Sequence, residues 1–148
     1  ECEPRPMLSL KVGYWLSDVS TPGRGNFHIV PGSHLDNELH RPADGNPAGA
    51  IPVLAARGDA VFFDRRLWHA RSPNHSPHVR KVLFYGYGYR WLRTKDDMTI
   101  APHLLEACDP IRRQLLGQGS NCNGFFSPTD DDVPLKLWLK ENLATAQL

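Results

Sequence analysis

Residues 58–89 have the sequence GDAVFFDRRLWHARSPNHSPHVRKVLFYGYGY, and they predict a short strand, a turn, a lone histidine, a proline-rich loop and then a long strand. The apolar run at residues 60–63 lies between polar turn residues, as a short buried strand does. Pro73 and Pro77 end the first strand and turn the chain back. A longer strand, rich in aromatic and β-branched residues, is predicted to begin near Val79.

The longer strand carries an arginine at its start. The alternation of side chains places Arg80, Val82 and Phe84 on one face, and both faces contain apolar groups, so we expect a strand that is covered on both sides. A guanidinium group stays charged, and its burial is tolerable mainly when a carboxylate or phosphate accepts its fork of donors. Because no acidic residue lies between Asp64 and Asp96, the local sequence supplies no such partner. Taken alone, His69 is more simply interpreted as a core histidine; together with Arg80 at the start of the next strand, it suggests a metal ligand beside an anion-binding arginine.

The chain resembles the C-terminal catalytic half of the phytanoyl-CoA dioxygenase family, which belongs to the Fe(II)- and 2-oxoglutarate-dependent oxygenases. The matching segments are FHIVPGSH at residues 27–34, GDAVFFDRRLWHARSPNHS at residues 58–76, and Arg80, within a similarity that spans residues 8–93. The resemblance implies that His69 is the second histidine ligand of iron and that Arg80 binds the distal carboxylate of 2-oxoglutarate. It also places Trp15 beside this cosubstrate, although a core aromatic is an equally open interpretation.

The resemblance implies a specific chemistry. Such enzymes hold Fe(II) with two histidines and one carboxylate, which leaves positions for 2-oxoglutarate and dioxygen. Arginine suits the distal carboxylate better than lysine because its planar fork binds both oxygens. Oxidative decarboxylation of 2-oxoglutarate gives succinate and carbon dioxide while a small-molecule substrate is hydroxylated.

The family's His-x-Asp pair precedes the strand that matches residues 8–16, so we expect it upstream of Glu1. The chain is then the C-terminal part of an oxygenase and is expected to be inactive alone. His34 and Asp36 form the one literal His-x-Asp pair. We interpret them as a coincidence within the PGSH turn, because the residues between Asp36 and His69 would otherwise have to hold most of the barrel; they remain the alternative.

Two further observations concern the predicted site: the remaining histidines and one departure from the family. The remaining histidines are expected not to bind metal: His28, His40, His75, His78 and His103. Two residues after the metal histidine the family often has a small hydroxyl residue, whereas this chain has Arg71. The carboxylate pocket is therefore expected to differ in detail.

The composition excludes several classes of protein. The chain has 148 residues, 41% hydrophobic and 22% charged, which is typical of one globular domain. A net charge of +1 gives no reason to expect a nucleic acid or membrane partner, and no apolar run is long enough to span a bilayer. Three widely spaced cysteines without a CxxC pair favour a reducing, cytoplasmic location.

The predicted fold is mainly β: a double-stranded β-helix (jelly roll, cupin-like), incomplete at its N-terminus, as a single domain over residues 1–148. Barrel strands are expected within residues 8–93, at 7–16, 26–30, 51–55, 60–63 and from Val79, with a loop at 35–50. A helical tail over residues 101–148 is expected to pack outside the barrel, with one helix broken near Pro110 and another beginning at Pro134.

Two other functions are open at this point. A non-catalytic cupin-like module could keep Arg80 for a carboxylate ligand without a metal. A non-haem iron halogenase would have a small residue in place of the aspartate ligand, so that chloride binds. The sequence preceding Glu1 discriminates among the three possibilities.

Overall fold

The computed structural model describes residues 2–38, 42–43, 45–92, 99–118 and 129–143. The chain divides into two compact units, Glu1–Gly88 and Tyr89–Leu148. The first unit contains strands β1 (Ser9–Trp15), β2 (Phe27–Ile29), β3 (Ile51–Val53), β4 (Ala60–Asp64), β5 (His69–Arg71) and β6 (Val82–Gly88), with a 3-10 turn at Ser33–Leu35. The mainly β prediction is confirmed, while the single domain over residues 1–148 stays a prediction.

The strands form two antiparallel sheets of three. One sheet has the order β4-β1-β6 and the other β3-β2-β5. In the first sheet, Trp15 is opposite Val82 and Gly13 is opposite Phe84. In the second, Phe27 is opposite Arg71. Because directly opposed residues share a face, these pairs define the inner surface of each sheet.

The two inner surfaces pack against each other through aromatic rings. Phe27, from the second sheet, has its ring centroid 5.0 Å from that of Phe63 and 6.1 Å from that of Trp15, both in the first sheet. Phe84 lies 5.8 Å from Phe27. Val19 and Ala55 complete the buried cluster. The core of the β unit is therefore the layer between the two sheets.

The prediction that the last strand is covered on both faces is wrong for this chain. On the outer face of the first sheet, Tyr85 is 49% exposed and Phe62 is 63% exposed. The strand also begins at Val82 rather than near Val79, so Arg80 precedes it. An apolar composition indicates that a face is suited to burial, but only a neighbouring element buries it, and composition alone does not provide one.

The second unit is helical, and its helices begin at prolines, as the sequence predicts for Pro134. Helix α1 spans Pro102–Glu106, α2 spans Pro110–Leu115 and α3 spans Pro134–Leu143. The predicted break near Pro110 is confirmed, and the Asp109 side chain caps α2 by accepting the Arg112 N–H at 2.8 Å. None of the helices in the described residues is long and apolar enough to cross a membrane. The expected packing of these helices outside the barrel stays a prediction.

The turn after β4 is held by an ion pair. The Arg66 guanidinium donates to both carboxylate oxygens of Asp64, with Nη2 at 2.7 Å from Oδ2, and the Arg66 backbone N–H donates to Oδ1 at 2.8 Å. These hydrogen bonds hold the pKa of the Asp64 carboxyl below its ordinary value, although partial burial acts in the opposite direction. Arg66 also donates to the carbonyl of Arg5, which ties the N-terminal segment to this turn.

The Asp64–Arg66 pair predicts a pH dependence of stability. Since the pKa of Asp64 is lower in the folded state, its contribution is fully present above the unfolded pKa of about 4 and is lost as pH falls through the folded value. We expect Asp64→Asn to lower the free energy of unfolding at neutral pH and to match the wild type in strong acid. Urea denaturation of both proteins across this range measures the difference. A gap that stays constant in acid would contradict the assignment.

Candidate functional site

His69 opens strand β5 and lies on the inner face of its sheet, directly opposite Ile29 of β2. The sequence predicts this histidine near a strand end, between a turn and a proline-rich loop, whereas the structure places it in a strand of its own. The position is fixed from the PGSH turn, because the buried Ser33 Oγ accepts the Trp68 N–H at 2.8 Å. Trp68 in turn accepts the Val30 N–H at 3.0 Å. Gly32, with φ of 80°, allows the chain to make this turn.

The His69 ring has a defined orientation and tautomer. Its centroid lies 5.3 Å from the Phe27 ring and 5.2 Å from the Phe63 ring. Nδ1 lies 2.6 Å from the Leu67 carbonyl oxygen, and because a carbonyl can only accept, Nδ1 carries the proton. In the neutral ring Nε2 then has the lone pair, and no residue that the structure describes binds to Nε2. Metal-binding histidines typically have this arrangement, in which a backbone oxygen orients the ring.

Arg80 lies two residues before β6 and lines an open cavity of about 690 Å³. It is half-buried, and it has neither a hydrogen bond nor an ion pair with any described residue. Gly25 lies beside its aliphatic stem, and a Cβ at Gly25 would lie in ordinary contact with the Arg80 Cδ, at 3.5 Å. A φ of 69° at Gly25 also favours glycine there.

The cavity wall is the loop over residues 72–79, which is closely braced. The Asn74 Nδ2 donates to the His78 carbonyl at 2.7 Å, and the Ser76 hydroxyl donates to the Asn74 Oδ1 at 2.7 Å. The His75 N–H donates to the Gly23 carbonyl at 2.8 Å. The loop is therefore shaped by its own side chains before any ligand arrives.

A buried asparagine connects this loop to the core. Asn26 is fully buried, and its Nδ2 donates to the Val19 carbonyl at 2.8 Å. Its backbone carbonyl accepts the Ser72 N–H at 2.9 Å. Buried amides are retained where their hydrogen bonds are satisfied, so Asn26 fixes the end of β5 relative to the preceding loop. Sequence reasoning did not identify this residue.

Arg71 connects the two predicted site residues. It lies two positions after His69 on the same inner face of β5, opposite Phe27, and it lines the cavity together with Arg80. His69 is not among the residues that line this cavity. The structure thus brings Arg80 together with Arg71 and places His69 at the next inward position along the strand.

Trp15 is a core residue in this chain. It is 0% exposed, and it packs against Phe27 and Phe84 with ring centroids 6.1 Å apart in each case. Gly13 permits this packing, because a Cβ there would lie 2.6 Å from the indole ring. The Trp15 Nε1–H has no acceptor among the described residues. A ligand can reach the indole only if its neighbours move, so its place beside the cosubstrate stays a prediction.

The other histidines that the structure describes are not grouped with further metal-binding side chains. His34 and Asp36 lie at and after the turn Ser33–Leu35. No group of three His, Cys, Asp or Glu in the part of the chain that the structure describes can hold a metal ion, so His34, Asp36 and His69 do not come together. His28 lies on the opposite face of β2 from Ile29, with its Nδ1 3.1 Å from the Asn46 Nδ2. His40 lies outside the described residues.

The comparison with family models identifies the family. The model described as phytanoyl-CoA dioxygenase (PhyH) matches residues 2–82, which is more than half of the chain. The chain belongs to the phytanoyl-CoA dioxygenase family. The residues matched by the phytanoyl-CoA dioxygenase model include strands β1 to β5. They also include His69, Arg71 and Arg80.

One solved structure agrees with the predicted fold. HygX from Streptomyces hygroscopicus, crystallised with nickel, 2-oxoglutarate and hygromycin B, is 25% identical to this chain, with a TM-score of 0.50. The match covers 55% of this chain and 36% of HygX. Apo HygX matches with 25% identity and a TM-score of 0.49 over 55% and 37% of the two chains. The chain therefore spans a little over a third of the HygX length. The TM-score of 0.50 and the two antiparallel sheets confirm the predicted cupin-like fold.

Proposed function

We propose that this chain is part of an Fe(II)- and 2-oxoglutarate-dependent oxygenase, in which His69 binds the metal and Arg80 binds the cosubstrate. The observation that carries the proposal is the orientation of the exposed His69 ring, whose Nδ1 lies against the Leu67 carbonyl so that Nε2 is not bound by any described residue. A neutral imidazole held in this way is the ordinary form of a metal-binding histidine.

The residues fit the cofactors that this function requires. His69 offers one nitrogen donor, and imidazole suits iron. Arg80 offers a guanidinium that no described residue binds, at an open cavity whose lining also includes Asn74 and Gly25. When bound, iron and 2-oxoglutarate supply the oxidising chemistry, and the protein positions them. Trp15, in this proposal, supports the pocket through its packing against Phe84 and Phe27.

A His-x-Asp pair N-terminal to Leu8 completes the metal site in this proposal. HygX binds 2-oxoglutarate and the small molecule hygromycin B, which supports a small-molecule substrate here as well. Hydroxylation is the reaction type that we favour. A small residue in place of the aspartate would instead favour a halogenase.

The proposal is tested by measuring succinate. The 148-residue chain and a longer chain that includes the preceding His-x-Asp pair are each given Fe(II), ascorbate, 2-oxoglutarate and oxygen. We expect succinate from the longer chain and none from the shorter one, because one ligand out of three binds iron weakly.

Two results would contradict the proposal in different ways. Succinate from the 148-residue chain would show that the metal site lies within it, against the placement of the missing ligands. A longer chain that lacks a His-x-Asp pair and binds 2-oxoglutarate without metal would identify the binding module instead.

A further inference from the structure

Arg71 is a second arginine at the cavity that contains Arg80. It stands where the family often has a small hydroxyl residue, and its backbone position opposite Phe27 directs it to the inner face. It is exposed, and like Arg80 it has no hydrogen bond or ion pair with any described residue. The cavity is thus lined by two arginines, neither of which has a hydrogen bond or ion pair with a residue that the structure describes.

The charged residues that line this cavity, among those that the structure describes, are all basic. The residues that line it include no Asp or Glu, and Lys81 follows Arg80 directly in the chain. Two guanidinium groups at one cavity repel each other unless an anion lies between them. The cavity is therefore electrostatically suited to an anion. With two arginines, a doubly charged anion is attracted more strongly than a singly charged one.

The number of donors and the charge favour a phosphate group over a single carboxylate. Each guanidinium group presents five N–H donors, whereas a carboxylate has one charge and two oxygens, which one arginine can satisfy in a bidentate pair. A phosphate group carries about two charges and three strong acceptor oxygens, which is enough for both arginines. The Ser72 hydroxyl, which has only a long 3.4 Å contact with the Pro73 carbonyl, is a further donor at the same wall.

We propose that Arg71 and Arg80 form a two-arginine site for a phosphate group, as found in inorganic phosphate and in phosphate monoesters. The loop between the two arginines is braced by its own hydrogen bonds, and the proposed binding requires neither metal nor turnover. Because Arg80 also serves the cosubstrate in the proposed function, phosphate and 2-oxoglutarate compete for it. The phosphate site itself stands independently of that function.

The test is a calorimetric titration of the metal-free 148-residue chain at about pH 8, where phosphate is mostly a dianion. Inorganic phosphate, phenyl phosphate and acetate are compared for the wild type, Arg71→Ser, Arg80→Ser and Arg57→Ser. Arg57 is an exposed turn residue outside the cavity, so its variant removes the same charge without touching the site.

We expect Arg71→Ser and Arg80→Ser each to weaken phosphate binding by about tenfold or more, because each loses charge-assisted hydrogen bonds. Acetate binding should fall in Arg80→Ser but change little in Arg71→Ser, and Arg57→Ser should change neither. Phenyl phosphate that binds as well as inorganic phosphate would assign recognition to the phosphate group itself. Tighter binding of phenyl phosphate would also support the site and would indicate that the phenyl ring contacts Pro73 or Pro77 of the cavity wall.

Three results would overturn the inference: no measurable phosphate binding to the folded wild type, unchanged phosphate affinity in Arg71→Ser, or an equal loss in Arg57→Ser. Equal loss of phosphate and acetate in Arg71→Ser would make Arg71 a carboxylate-binding residue and would also overturn it. None of these results depends on succinate formation. Failure of the phosphate site is therefore distinguishable from failure of the oxygenase proposal.

Discussion

His69→Ala is expected to abolish succinate formation by the longer chain that contains the His-x-Asp pair. The variant removes the nitrogen whose lone pair faces away from the Leu67 carbonyl and is free for metal. Loss of an outer-shell partner alone typically costs about 10–100-fold in metal affinity or activity, and loss of a ligand itself should cost more. Metal affinity, measured by competition with a chelator, should fall together with the succinate rate.

His28→Ala is the matched control for this experiment. His28 lies on the neighbouring strand β2 but on its opposite face, where it contacts the Asn46 side chain. It should leave metal affinity and the succinate rate near those of the wild type. Retention of iron binding by His69→Ala, with an intact fold by circular dichroism, would remove His69 from the metal site.

The second large effect concerns the core. Trp15→Ala should lower the free energy of unfolding of the β unit by about 3–5 kcal/mol, the usual cost of truncating a large buried aromatic residue. Trp15 is fully buried between Phe27 and Phe84, so its removal leaves a cavity beneath both sheets. Urea denaturation followed by circular dichroism measures the change.

Phe62→Ala provides the comparison for Trp15. Phe62 lies on the outer face of β4 and is 63% exposed, so its truncation should change the free energy of unfolding by about 0.5 kcal/mol or less. If Trp15→Ala were no more destabilising than Phe62→Ala, the packing of the inner layer would be wrong. A raised KM for 2-oxoglutarate in Trp15→Phe, without loss of stability, would place the indole at the cosubstrate.

The longer strands could be predicted from the sequence because their pattern is local. Alternation over Ser9–Trp15 and Val82–Gly88 gives both strands within a few residues. Strand β5 could not be predicted, since its three residues are polar or small and pair with β2, far away in the chain. Such pairing is decided by tertiary contacts rather than by propensity.

The candidate site shows the same division. The family resemblance indicates His69 and Arg80 as site residues, because the motif around them and the spacing between them can be recognised in the sequence. Ser33 and Asn26 act through hydrogen bonds to residues 35 and 46 positions later, Trp68 and Ser72, and no local pattern reports these contacts. Arg71 was visible only as a departure from the family, and its place at the Arg80 cavity required the structure.

The central claim is that His69 binds the metal and Arg80 the cosubstrate, and a crystal structure of the longer chain with Ni(II) and 2-oxoglutarate tests it most directly. We expect the His69 Nε2 at about 2.1 Å from the metal, an ordinary imidazole–metal distance. We also expect the Arg80 guanidinium to bind the distal carboxylate through two hydrogen bonds of about 2.8 Å. Metal bound without His69, or the carboxylate held away from Arg80, would contradict the account.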